Sequence, residues 1–147
     1  KEEKRLANLR RLYFLIIAFM LQIPGLYVLS SDKKGRSVYC QRAISAGDTI
    51  EVCNTIIIPA AELPIIHKTR LHDYYFLWGE DMNQCALALG HGSIYNHAVD
   101  ANCDFLLDME YETINIFALR NIPAGEEITI NYHGEPGNKE KLWFEVN

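Results

Sequence analysis

Arg42-Ala43-Ile44-Ser45-Ala46-Gly47-Asp48-Thr49-Ile50 recurs later in the chain as Arg120-Asn121-Ile122-Pro123-Ala124-Gly125-Glu126-Glu127-Ile128, a shared R-x-I-x-A-G-x-x-I. Each copy leaves one β-favouring run, turns on Ala-Gly, where glycine can take a positive φ, and enters another such run. Residues 26–30 and 37–42 flank the turn Ser31-Asp32-Lys33-Lys34-Gly35-Arg36, a hairpin signal. Residues 49–58 form a β-branched, apolar run that Pro59 stops. Residues 60–66 suit a helical turn, 71–79 are dense in aromatics, and 85–89 are a short apolar run. Residues 102–109 and 113–120 surround the acidic turn Glu110-Tyr111-Glu112, and residues 113–117 and 128–132 alternate with period two. After residue 25 there is no long segment of 3.6-residue periodicity, so the expected class is mainly β, with several small twisted sheets and short helices.

The chain has 147 residues, 49% apolar and 22% charged, with a formal net charge of −5, which suits one globular domain. The charge is uneven. The first eleven residues carry five basic and two acidic side chains, so the remainder is the more acidic part. An acidic body argues against direct nucleic-acid binding and suits a cationic partner. The four cysteines Cys40, Cys53, Cys85 and Cys103 are widely spaced, which fits neither a zinc knuckle nor a disulfide framework. They read as reduced, buried small hydrophobes in a cytoplasmic protein, and no metal is expected.

Residues 12–21 (LYFLIIAFML) are continuously apolar and follow Arg10 and Arg11, but fall short of the about 20 residues a bilayer span needs. Residues 1–24 therefore stand apart as an apolar and basic segment. It can be an upstream extension ahead of a start at Met20, an anchor, or a helix packed on the domain formed by residues 25–147. A signal-peptide core would lack the usual small-x-small cleavage pattern before Pro24.

The residues suited to chemistry lie between and after the two Ala-Gly turns. Residues 90–103 read GHGSIYNHAVDANC, unusually polar between apolar runs, with glycine, asparagine and histidine suited to bonding a small polar ligand. Downstream, Gly125-Glu126-Glu127-Ile128-Thr129-Ile130-Asn131-Tyr132 ends a strand on a tyrosine.

These motifs, taken in order, resemble the SET-domain protein-lysine methyltransferases, most closely the small single-domain bacterial and viral members. Asn96-His97 and Asn102 match the family's N-H-x-x-x-x-N, residues 125–132 match its G-E-E-[IL]-x-x-x-Y, and Gly35 matches its early hairpin glycine. The resemblance implies a β-clip fold in which a C-terminal pseudoknot joins Asn96 and Tyr132. It also implies S-adenosylmethionine as methyl donor, S-adenosylhomocysteine as product, and a lysine-bearing, basic protein as acceptor. Main-chain groups of Lys34, Gly35 and Arg36 would hold the cofactor, with Asn96 at its amino-acid end, the His97 backbone at its adenine, and Trp143 or Phe144 of the aromatic tail covering it. Tyr132 would be the catalytic tyrosine, and Tyr74, Tyr75, Phe105 and Ile130 would wall the lysine channel. Tyr74, Tyr75 and Phe105 equally suit a buried strand. A homodimer remains open, and membrane association is expected only if residues 12–21 act as an anchor.

The chemistry asks for such a site. A lysine ammonium has no lone pair and an ordinary pKa of about 10.4, so it must lose a proton before attacking a methyl group. An apolar channel beside a sulfonium cation disfavours the ammonium, and no strong protein base is then required. This chain departs from the family at Ser37, where G-x-G is usual, and at Ala98, where a serine is common. No cysteine-rich stretch follows Tyr132. The two substitutions keep a second reading in view, a catalytically silent SET-fold module that binds peptide or protein.

Overall fold

The computed structural model describes residues 22–32 and 35–142. Lys34, Trp143, Phe144 and the apolar stretch 12–21 lie outside the described residues. Among the described residues, nine strands form two sheets: β1 (Leu26–Ser31), β2 (Gly35–Cys40), β3 (Thr49–Ile58), β4 (Tyr75–Trp78), β5 (Gln84–Ala88), β6 (Asn96–His97), β7 (Cys103–Asp108), β8 (Thr113–Ala118) and β9 (Glu127–Ile130). One sheet has the order β1-β2-β9-β6 and the other β4-β5-β3-β8-β7. The only helical pieces among the described residues are short turns, including Leu63–Ile66 with Pro64 in its first turn, so the fold is mainly β as expected.

The two Ala-Gly repeats make two of the four crossings between the sheets among the described residues. One carries β2 into β3, and the other carries β8 into β9. Gly47 and Gly125 have φ of 86° and 79°, a region where a Cβ is strained, so glycine lets both chains turn. The repeats also pair with each other. Ile44 and Ile122 exchange backbone hydrogen bonds of 2.9 Å in both directions, and both side chains are buried. The strong β-formers Val38, Ile50, Ile114, Ile116, Ile128 and Ile130 fill one core between the sheets. Cys40, Cys53, Cys85 and Cys103 are free and buried. Burial pushes the Cys103 thiol up to about 12 and Cys53 above the usual thiol range, so these two thiols behave as small hydrophobes.

Strand bounds differ from expectation by a few residues at their ends. Residues 70–73 form a helical turn, so the aromatic run becomes a strand only from Tyr75. Strand β6 has two residues, too short to leave a period in the sequence. It pairs in parallel with β9, placing Asn96 opposite Thr129 and His97 opposite Ile130. β9 is thereby held between β2 and β6, where the C-terminal part of the chain crosses back into this sheet.

Asn102 locks this crossing. Its side chain, 2% exposed, accepts from the Thr129 N–H at 2.9 Å and donates to the Glu127 carbonyl at 2.8 Å and to Glu126 Oε1 at 3.0 Å. Truncation would leave buried polar groups without partners, and each such group costs about 1–3 kcal/mol. Asn102→Ala is expected to lower unfolding stability by about 2–4 kcal/mol in urea titrations. A loss below about 1 kcal/mol would contradict the lock.

Candidate active site

Parallel pairing of β6 with β9 brings the Asn-His pair beside the end of the G-E-E strand. The Ala98 N–H bonds the Ile130 carbonyl at 3.1 Å, and the chain then delivers Tyr132. The Tyr132 N–H donates to His97 Nδ1 at 3.2 Å, so neutral His97 carries its proton on Nε2. The Tyr132 hydroxyl donates to the Tyr95 carbonyl at 2.9 Å. Residues 95–97 thus bond Tyr132 at both its main chain and its phenol.

Two cavities meet at this tyrosine. The larger, about 520 Å³, is walled by Tyr74, Tyr75, Phe76, Phe105, Ile130 and Tyr132. Phe76 and Phe105 stack edge to face with centroids 4.9 Å apart. Asp73 and Glu135 add carboxylates to its lining, and neither lysine nor arginine is among its described lining residues. The smaller cavity, about 340 Å³, is lined by Gly35, Arg36, Ser93, Ile94, Asn96 and Tyr132, among others. Tyr132, Tyr74, Asp73 and Ser93 border both spaces. The Arg36 guanidinium lies 5.7 Å from the Tyr74 ring centroid, closing one side of the smaller space.

Gly35, Arg36 and Asn96 line the smaller cavity, Tyr75, Phe105 and Ile130 the larger, and Tyr74 and Tyr132 both. His97 borders neither described cavity and reaches the site through its bond to Tyr132. No group of three or more metal-ligating side chains occurs among the described residues.

Sequence reading did not assign the residues that hold these groups. The Asn96 side-chain amide donates toward Glu127 Oε1 and Ser37 Oγ at 2.8 Å each and the Arg36 carbonyl at 3.0 Å. Glu127 thus reaches from the G-E-E strand to the asparagine. Ser37, one of the two departures from the family pattern, is 3% exposed and bonds that same amide. Glu126 takes Arg120 and Asn102 as partners. The G-E-E motif was visible, but the division of labour between its two acids depends on partners distant in sequence.

Burial, reinforced by Tyr74, Asp73 and Glu127, pushes the Tyr132 phenol up to about 12. Burial, with His133 nearby, lowers the His97 pKa below its usual value. Protonating Nδ1 would remove the acceptor for the Tyr132 N–H. In the acid range the unfolded chain therefore binds more protons than the folded one, and stability falls as pH drops below about 6.5 toward the lowered value. Urea midpoints measured through that window should fall in the parent more than in His97→Asn.

A polar pocket and an aromatic pocket share Tyr74 and Tyr132 on a two-sheet fold whose β9 lies between β2 and β6. Residues 35–133 match the SET domain family, and the chain belongs to this family of protein-lysine methyltransferases. It is 31% identical over 121 residues to the Schizosaccharomyces pombe histone-lysine N-methyltransferase specific for H3 lysine-37, covering 82% of this chain and 77% of the yeast protein. It also resembles the crystal structure of a Plasmodium falciparum protein provisionally named a histone methyltransferase. That match has a TM-score of 0.58 and 28% identity, and covers 74% of this chain and 92% of the other.

Proposed function

We propose that this chain transfers a methyl group from S-adenosylmethionine to the ε-amine of a lysine in a basic, histone-like protein segment. The donor would occupy the smaller cavity and the lysine side chain the larger. The observation that carries this reading is that Tyr132 borders both spaces, so two molecules entering from different sides would meet at one phenol.

The residues of the smaller cavity fit the donor. A Cβ built on Gly35 would meet nothing within 4 Å, so the hairpin leaves an open approach to its main chain. Asn96 presents an amide to the same space, and Gly35, Arg36 and Asn96 would hold the cofactor. When bound, S-adenosylmethionine supplies a methyl group on a positively charged sulfonium.

The chain supplies the rest. Asp73 and Glu135 beside the aromatic cavity favour a lysine ammonium as it arrives. Deeper in, Tyr75, Phe76, Phe105 and Ile130 replace water with apolar surface, which disfavours the ammonium and favours the neutral amine. The proton leaves to solvent before attack, so no side chain need act as a strong base. Tyr132, neutral up to about 12, orients the reacting groups with its hydroxyl dipole. Alignment in such a tunnel can contribute on the order of 7–11 kcal/mol to the rate.

Ser37 favours this reading over a silent binding module. It stands where the family usually has glycine, yet its hydroxyl supports the amide that the donor would meet. The test is incubation of the purified chain with methyl-labelled S-adenosylmethionine and lysine-rich basic peptides. Label on lysine ε-nitrogen is expected, with rates rising through the alkaline range as the acceptor deprotonates and no decline from tyrosinate below about pH 11. Binding of the donor without transfer at any pH from neutral upward would support the silent module instead.

A further inference from the structure

Glu51 is 3% exposed in the interior of a β-sheet protein, a position that ordinarily holds an apolar side chain. Its placement follows from a bulge. In the β3–β8 ladder, Thr49 faces Phe117 and Glu51 faces Ile116, so Ile50 is an extra residue. Ile50 and Glu51 are consequently both buried, although neighbours on a strand normally point to opposite faces.

The carboxylate meets two donors from the polar 90–95 loop. Glu51 Oε2 accepts from the Tyr95 phenol at 2.8 Å, and Oε1 accepts from the His91 N–H at 3.0 Å. His91 Nδ1 lies 3.4 Å from the same Oε1. The loop is pressed onto this group. A Cβ at Gly90 would collide with the Glu51 carboxylate, and one at Gly92 would come within 2.7 Å of Cys53 Sγ. The glycines of Gly90-His91-Gly92 thus let the main chain close over a buried acid.

We propose that Glu51 is a positioning residue for the methyl-transfer site, acting through Tyr95 on Tyr132. Tyr95 is fully buried and bonds at both ends. Its phenol is fixed by Glu51, and its main-chain carbonyl receives the Tyr132 hydroxyl at 2.9 Å. Asn96, the next residue in the chain, carries the amide that borders the smaller cavity. The buried carboxylate thereby sets the depth and orientation of the carbonyl that receives the Tyr132 phenol. The inference rests on the proposed methyl-transfer function.

The test uses the full chain in steady-state methyl transfer. Glu51→Gln keeps the shape but turns one acceptor into a donor, so either Tyr95 or His91 loses its partner. Tyr95→Phe removes the phenol and leaves the main-chain carbonyl in place. Each variant is expected to lower kcat about tenfold or more, with the peptide KM changed by about twofold at most, as for misplacement of a group used only in the transition state. In a Tyr132→Phe background either change should lower kcat by no more than about twofold, because the aimed hydroxyl is already gone. A general loss of structure would lower kcat equally in both backgrounds. That result, or an unchanged kcat in the single variants, would overturn the proposal. If Glu51→Gln fails to fold, Tyr95→Phe decides alone. An inactive parent chain would instead overturn the methyl-transfer reading itself.

Discussion

Tyr132→Phe is expected to lower kcat for methyl transfer by about a hundredfold, the loss typical of removing one pre-oriented dipole from a transition state. The ring is retained, so the wall shared by the two cavities survives, and so does the His97 contact, which uses the Tyr132 main chain. What disappears is a hydroxyl held at 2.9 Å from the Tyr95 carbonyl, on a side chain that borders both cavities. Donor affinity should change by about twofold at most, since Asn96 and the early hairpin are untouched. Single-turnover kinetics with calorimetry on the same variant separate the two quantities. A variant with unaltered kcat would remove Tyr132 from the reaction.

Asn96→Ala should do the opposite, weakening donor binding by about 10- to 100-fold, or roughly 1.4–2.8 kcal/mol. The amide reaches Glu127, Ser37 and the Arg36 carbonyl, tying the early hairpin to the G-E-E strand. Without it, the Ser37 hydroxyl and the Glu127 carboxylate lose a donor beside the cavity, and Arg36 and Gly35 lose their brace. Calorimetric titration with S-adenosylhomocysteine measures the change directly. An unchanged dissociation constant would assign the smaller cavity to some other ligand.

The fold was legible where local chemistry decides it. Glycine at positive φ forces the Ala-Gly turns, β-branched residues mark the core strands, and Pro59 ends β3. Strand β6 was not legible as a strand, because two residues carry no period and its partner β9 lies far along the chain. The motif residues Gly35, Asn96 and Tyr132 stand out in the sequence, and in the structure they line one cavity. Their supports do not stand out. Ser37, Glu51 and Glu127 act through contacts 31 to 59 positions away in sequence, and no local pattern announces such contacts. Glu51 adds a second reason. A bulge in β3 reverses the alternation that would otherwise place it at the surface.

The most direct measurement is a crystal structure of this chain with S-adenosylhomocysteine and a lysine peptide bound together. The nucleoside product is expected beside Gly35, Arg36 and Asn96, the lysine stem between Tyr75, Phe105 and Ile130, and the amine and sulfur facing each other across the Tyr132 hydroxyl. A nucleoside lodged away from Asn96, or a lysine entering by the same opening as the nucleoside, would contradict this arrangement.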